Sequence, residues 1–93
     1  MIVGICGLKL RIFEINSLKE KRRIINSIIG RLKSRFNISI SEVGLNDTWQ
    51  SSEIGFSITT NNSDHAREVI SKVINFIDGD SRVEILEENI EIL

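Results

Sequence analysis

Apolar and polar positions along residues 2–13 follow the two-residue period of a β-strand. Ile2, Gly4, Cys6, Leu8, Leu10 and Ile12 share one parity, which makes them the core face. Val3, Ile5, Gly7, Lys9, Arg11 and Phe13 share the other, apolar early and basic late, a face only partly suited to water. The period then changes. Leu18, Ile25, Ile28, Ile29, Leu32 and Phe36 recur at helical spacing and predict a helix over about 18–36. Ser17-Leu18-Lys19-Glu20 opens it as a capping box, with the Ser17 hydroxyl accepting from the third helical N–H and Glu20 reaching back to the Ser17 N–H.

Residues 38–45 alternate as a short strand, with a parity shift near Glu42 that predicts a bulge. A polar stretch, Asn46 to Ser52, leads to a third strand in which Ile54, Phe56 and Ile58 face the core. Asn61-Asn62-Ser63-Asp64 supplies turn and N-cap chemistry for a second helix at about 63–77, striped by Ala66, Val69, Ile70, Val73, Ile74 and Ile77. Gly79 suits a left-handed C-cap. Residues 82–92 hold the last strand, with a break expected at Glu87-Glu88-Asn89. The order β-α-β-β-α-β, with right-handed crossovers, predicts an α+β ferredoxin-like split sandwich: a four-stranded antiparallel sheet with both helices on one face. Ninety-three residues suffice for one core, so residues 1–93 are expected to form a single domain.

Composition adds exclusions. No apolar run reaches the roughly 18–20 residues needed to span a bilayer. The first residues lack the basic segment of a signal peptide, so a cytoplasmic protein is expected. One cysteine, Cys6, allows neither an internal disulfide nor a thiolate cluster, and its place in an apolar strand marks it as a small buried hydrophobe. No metal and no cofactor are expected. Asp78, Asp80 and Glu84 lack the ordered ligand run of a calcium loop. His65, the sole conventional base near neutral pH, is placed in the first turn of the second helix, where an exposed side chain needs no catalytic explanation. An acylphosphatase-like phosphate site would need a glycine-containing turn after the first strand, and Glu14-Ile15-Asn16-Ser17 has no glycine and begins with a carboxylate. A small phosphate or acyl hydrolase is therefore only a remote alternative, and no enzyme is expected.

Charge changes the picture most. The net charge of −1 conceals a split. Residues 1–35 carry nine Lys or Arg against two Glu, and the remainder carries three against eleven acidic residues. Lys19, Lys21, Arg22, Arg23, Arg31, Lys33 and Arg35 crowd the first helix, where they could meet a phosphate backbone without reading its sequence. Base stacking on the sheet, as in an RNA-recognition motif, is disfavoured: the third strand exposes Gly55, Ser57 and Thr59, and the first offers Val3 and Ile5. Val3 and Ile5 instead suggest a covering partner, most simply a second copy. Trp49, in a polar loop, is either folded back on the core or an interface anchor.

The run Ser17-Leu18-Lys19-Glu20-Lys21-Arg22-Arg23, with Asp47-Thr48-Trp49-Gln50, resembles the YlxP-like family of small bacterial proteins. The likeness extends to Val3-Gly4, Arg35-Phe36-Asn37, Glu42-Val43 and Asn61-Asn62. The resemblance implies a ferredoxin-like fold and, through the translation-related genes that commonly neighbour the family's own, a role near ribosome assembly or translation. It carries no catalytic residue. The expectation is a non-enzymatic binding module for ribosomal RNA or a ribosome-associated protein, with a homodimer through the open sheet as the alternative.

Overall fold

The computed structural model describes residues Met1–Leu93. Six elements follow in the expected order: β1 (Ile2–Ile12), α1 (Leu18–Arg35), β2 (Ser39–Gly44), β3 (Ser51–Thr60), α2 (Ser63–Asp78) and β4 (Val83–Ile92). The strands form one antiparallel sheet in the order β2-β3-β1-β4, so β1 and β3 are central and β2 and β4 are edges. This is the ferredoxin-like arrangement.

The core joins one face of the sheet to the two helices. Cys6, Leu8, Leu10 and Ile12 of β1 and Ile54, Phe56 and Ile58 of β3 meet Ile25, Ile28 and Leu32 of α1 and Ala66, Val69, Ile70, Val73 and Ile77 of α2. At Gly4 the approach of β1 to α2 is so close that a Cβ would stand 3.1 Å from both Ile58 Cγ2 and Ile70 Cδ1. Gly7, on the other face, has open space around it.

Several local expectations are revised. The capping box closes one residue early: Ser17 Oγ accepts from the Glu20 N–H at 3.2 Å, but the Glu20 carboxylate accepts from the Asn16 N–H at 2.8 Å. Gly79 is right-handed, with φ −78° and ψ −4°, because its N–H simply continues the helical pattern to the Asn75 carbonyl at 3.0 Å. The left-handed residues are Glu14 (φ 54°) and Leu45 (φ 57°). β2 has its irregularity between Glu42 and Gly44, as the parity shift predicts. β4 does not break at residues 87–89. It runs through them and absorbs Leu86 as a bulge, since Ile85 opposes Leu10 while Glu87 opposes Lys9. No helix is long and apolar enough to cross a membrane.

Candidate functional site

Lys21 lies in the second turn of α1, which at about 100° per residue is the face that also carries Ile25, Ile28 and Leu32. It is fully buried. Its expected role as a surface cation is therefore corrected: the ammonium points into the protein. Nζ donates to the Leu45 carbonyl at 2.6 Å, the Ser51 carbonyl at 3.0 Å and the Thr48 carbonyl, with the Asn46 carbonyl at 3.4 Å. Glu42 Oε2, 2.9 Å away, completes the shell and also accepts from Ser52 Oγ at 2.5 Å. A buried charge persists only when paired and hydrogen-bonded, and this shell provides both.

The shell explains the loop between β2 and β3. Leu45 turns left-handed so that its carbonyl faces Nζ, and the Thr48 N–H returns to that same carbonyl at 3.0 Å. Residues 45–51 thus wrap around a side chain of α1, and Trp49 stands outside the wrap, 36% exposed. The segment around Lys21 and the tryptophan loop, far apart in the chain, are one physical unit. The polar burden of Lys21 gave no hint of this in one dimension; its phase on the helix, in register with the apolar stripe, is the signal that could have found it.

The other cations stay outside. Lys19, Arg22, Arg23, Arg31, Lys33 and Arg35 are all exposed. Helical phase divides them in two. Lys19, Arg22, Arg23 and Lys33 form an outward stripe, in which Arg22 alone has a carboxylate within 4 Å, Asp47 at 3.9 Å. Arg31 and Arg35 flank α2: the Arg35 guanidinium lies 4.9 Å from the Phe76 ring centre, and Arg31 borders an open cleft of about 560 Å³ between the last turns of the helices. That cleft also holds Asp80, kept below the usual carboxylate range chiefly by hydrogen bonds from the Arg82 side chain, so Asp80 and Arg82 satisfy each other. Of the acidic residues beyond α1, Glu42 pairs with Lys21 and Asp47 with Arg22, and Lys19, Arg23 and Lys33 have no such partner within 4 Å. Glu84, Glu87, Glu88 and Glu91 line β4, the far edge strand.

The open face of the sheet carries Ile5, 39% exposed, and half-buried Val3, as expected. Around them are Gly7, Lys9, Glu53 and Gly55, with Val43 lying over Gly55. At one end stand two aromatic residues. Arg11 opposes Ser51, the last pair of the β1–β3 ladder, and the Ile12 N–H donates to the Gln50 carbonyl at 2.9 Å. Phe13 is 37% exposed, with Arg11 5.4 Å from its ring centre. Cys6 lies under the sheet, where burial, and to a lesser degree Glu88, pushes its thiol up to about 11. His65 is exposed in the first turn of α2.

Comparison with known proteins agrees with the architecture. The chain is similar to "Uncharacterized protein YlxP" of Bacillus subtilis strain 168, 32% identical over 83 residues that cover 89% of this chain and 90% of that protein. Among solved structures it is similar to a de novo designed protein with a ferredoxin fold (TM-score 0.53, 14% identity, 98% of this chain and 86% of that one). It is also similar to a dimeric ferredoxin-like protein from an uncultured marine organism (TM-score 0.50, 9% identity, 100% and 96%). Those two likenesses concern fold. Residues 3–90 match the family described as "Protein of unknown function (DUF503)", and the chain belongs to that family, the YlxP-like proteins.

Proposed function

We propose that this chain is a non-enzymatic module that binds a polyanion, RNA of the ribosome or translation machinery, through the outward stripe of α1. The observation that carries the reading is that Lys19, Arg23 and Lys33 are exposed on one helix face with no carboxylate within 4 Å, while Glu84, Glu87, Glu88 and Glu91 line the opposite edge strand. Unpaired cations on a rigid helix suit a phosphate backbone, which is met by charge and position rather than by sequence. Cys6, buried and held as the thiol, and the exposed His65 supply no nucleophile–base pair, which favours binding over catalysis.

The test is cosedimentation with 30S ribosomal subunits at low salt. Lys19→Glu/Arg23→Glu/Lys33→Glu should abolish it, and wild-type binding should weaken steeply with salt, by about 0.7–0.9 in log K per log salt for each phosphate contacted. Undiminished binding by the triple variant would sink the reading. Lys21 is left untouched, since changing it disturbs the loop rather than the surface.

A second reading, self-association through the open sheet, is favoured by the exposure of Ile5, Val43 and Leu86 on or beside that face. The dimeric state named for the marine ferredoxin-like protein is compatible with it. Light scattering tests it: Ile5→Asp should lower the observed mass, and a monomeric wild type excludes it.

A further inference from the structure

We infer that the cleft between α1 and the last turn of α2 grips one phosphate of the RNA strand between Arg82 and Arg31, with Asp80 as the residue that positions Arg82. The inference rests on the reading of α1 as a phosphate-binding element and names where the strand runs.

The cations of α1 are ordered along the helix. Lys19, Arg23, Ser27, Arg31 and Arg35 follow one another at four-residue intervals, and each step rises about 6 Å and turns about 40° around the axis. The row therefore starts on the outward face and ends beside α2, where Arg35 lies 4.9 Å from the Phe76 ring centre. Lys19, Arg23, Arg31 and Arg35 have no carboxylate within 4 Å. Ser27 is the one neutral step. Arg82, from the segment between α2 and β4, stands at that gap, its Nη2 3.5 Å from Ser27 Oγ.

Arg82 is fixed before any ligand arrives. Asp80, whose side chain is only 11% exposed, accepts from Arg82 Nε at 2.9 Å, from Nη2 at 2.7 Å and from the Arg82 backbone N–H at 3.0 Å. The Arg82 carbonyl accepts from the Phe13 N–H at 2.9 Å, which ties the segment to the end of β1. The Nη1 of Arg82 makes no hydrogen bond inside the protein, so a set guanidinium keeps free donors for an anion. Arg31 lines the same cleft, an open space of about 560 Å³. Asp80 is held ionised first by the Arg82 side chain and more weakly by the charge of Arg31, so both cations act on one spot. No other carboxylate lines the cleft, which leaves two guanidinium groups against one carboxylate already engaged. The lining has a single hydrophobic residue, Phe76, and Arg35 lies over its ring. With no free aromatic face for a base, the cleft suits the backbone of a strand arriving along α1 rather than a free nucleotide.

The test uses the whole chain and fluorescein-labelled oligouridine at low salt, followed by anisotropy. Arg82→Gln should weaken binding about tenfold and reduce the salt slope by about 0.7, the share of one phosphate on a single strand. Arg82→Lys, which keeps the charge and loses the fork, should recover only part of that affinity. Asp80→Asn separates positioning from charge. Removing a carboxylate by itself should tighten binding to a polyanion, so weaker binding is expected only if Asp80 acts by setting Arg82, and tighter binding overturns that role. If Lys19→Gln/Arg23→Gln/Lys33→Gln abolishes binding while Arg82→Gln binds as the wild type, the cleft is overturned and the α1 reading stands. If Arg82→Gln weakens binding and the triple variant does not, the outward stripe fails and the cleft stands. If Arg82→Gln lowers the urea midpoint but leaves affinity and salt slope unchanged, Arg82 only offsets the negative end of α2 and the inference is wrong. Should the variants unfold, the Arg82 Nε–H resonance of the wild type decides: oligouridine should shift it where sodium chloride of equal ionic strength does not, and an unmoved resonance overturns the inference.

Discussion

Lys21 places an ammonium where an amphipathic helix normally places a leucine, and four carbonyl oxygens with one carboxylate make that burial tolerable. Removing the cation leaves Glu42 and the inward carbonyls without their partner. Lys21→Met is therefore expected to destabilise by about 3–5 kcal/mol in urea unfolding, although the volume is kept. Trp49 fluorescence anisotropy should fall as the loop loosens, before global unfolding. Cys6 makes the opposite kind of statement. Its thiol is pushed up to about 11 by burial, whereas an unfolded cysteine ionises near about 8.5. Between those values the unfolded chain loses a proton that the folded chain keeps, so the contribution is full below about pH 8.5 and is lost as pH rises toward 11. The urea midpoint should thus drop from pH 8 to pH 10.5 more for the wild type than for Cys6→Ala. Iodoacetamide should label Cys6 only on unfolding.

Helix α1 carries charges that its own stability does not favour. Lys19 stands in the first turn, at the positive end of the helix dipole, and Lys19 with Arg23 and Arg31 with Arg35 are like charges four residues apart. The N-cap supplied by Ser17 and the apolar stripe of Ile25, Ile28 and Leu32 carry the element despite them. Lys19→Gln should therefore stabilise the free protein by a few tenths to about 1 kcal/mol in thermal or urea melts while weakening RNA binding. A substitution that strengthens the fold and harms binding separates the two roles. A loss of stability would show instead that the cation is structural.

Across the whole molecule, the four carboxylates of β4 stand apart from the cations of α1 because the two elements lie on different flanks of the sheet, while Glu42 and Asp47 meet α1 directly. β4 is a ten-residue edge strand, and edges of that length invite pairing with another chain unless charge prevents it. Glu84, Glu87, Glu88 and Glu91 supply that charge. Glu87→Gln/Glu88→Gln/Glu91→Gln should raise the scattering intensity of concentrated solutions at neutral pH. A variant as dispersed as the wild type would show that the edge needs no such protection.

Periodicity alone determined the elements, their order and nearly all of the core, because burial of one face imposes a two-residue or a 3.6-residue pattern that any reader of the chain can count. The bulge near Glu42 and the cap at Ser17 were legible for the same reason: each is chemistry within a few residues. What only the tertiary structure decided involves partners distant in sequence. A lysine among six similar cations cannot announce that carbonyls 24 to 30 residues onward will surround it. Charge sign and helical phase are local properties, whereas which carbonyls enclose the buried ammonium depends on how the elements close upon one another.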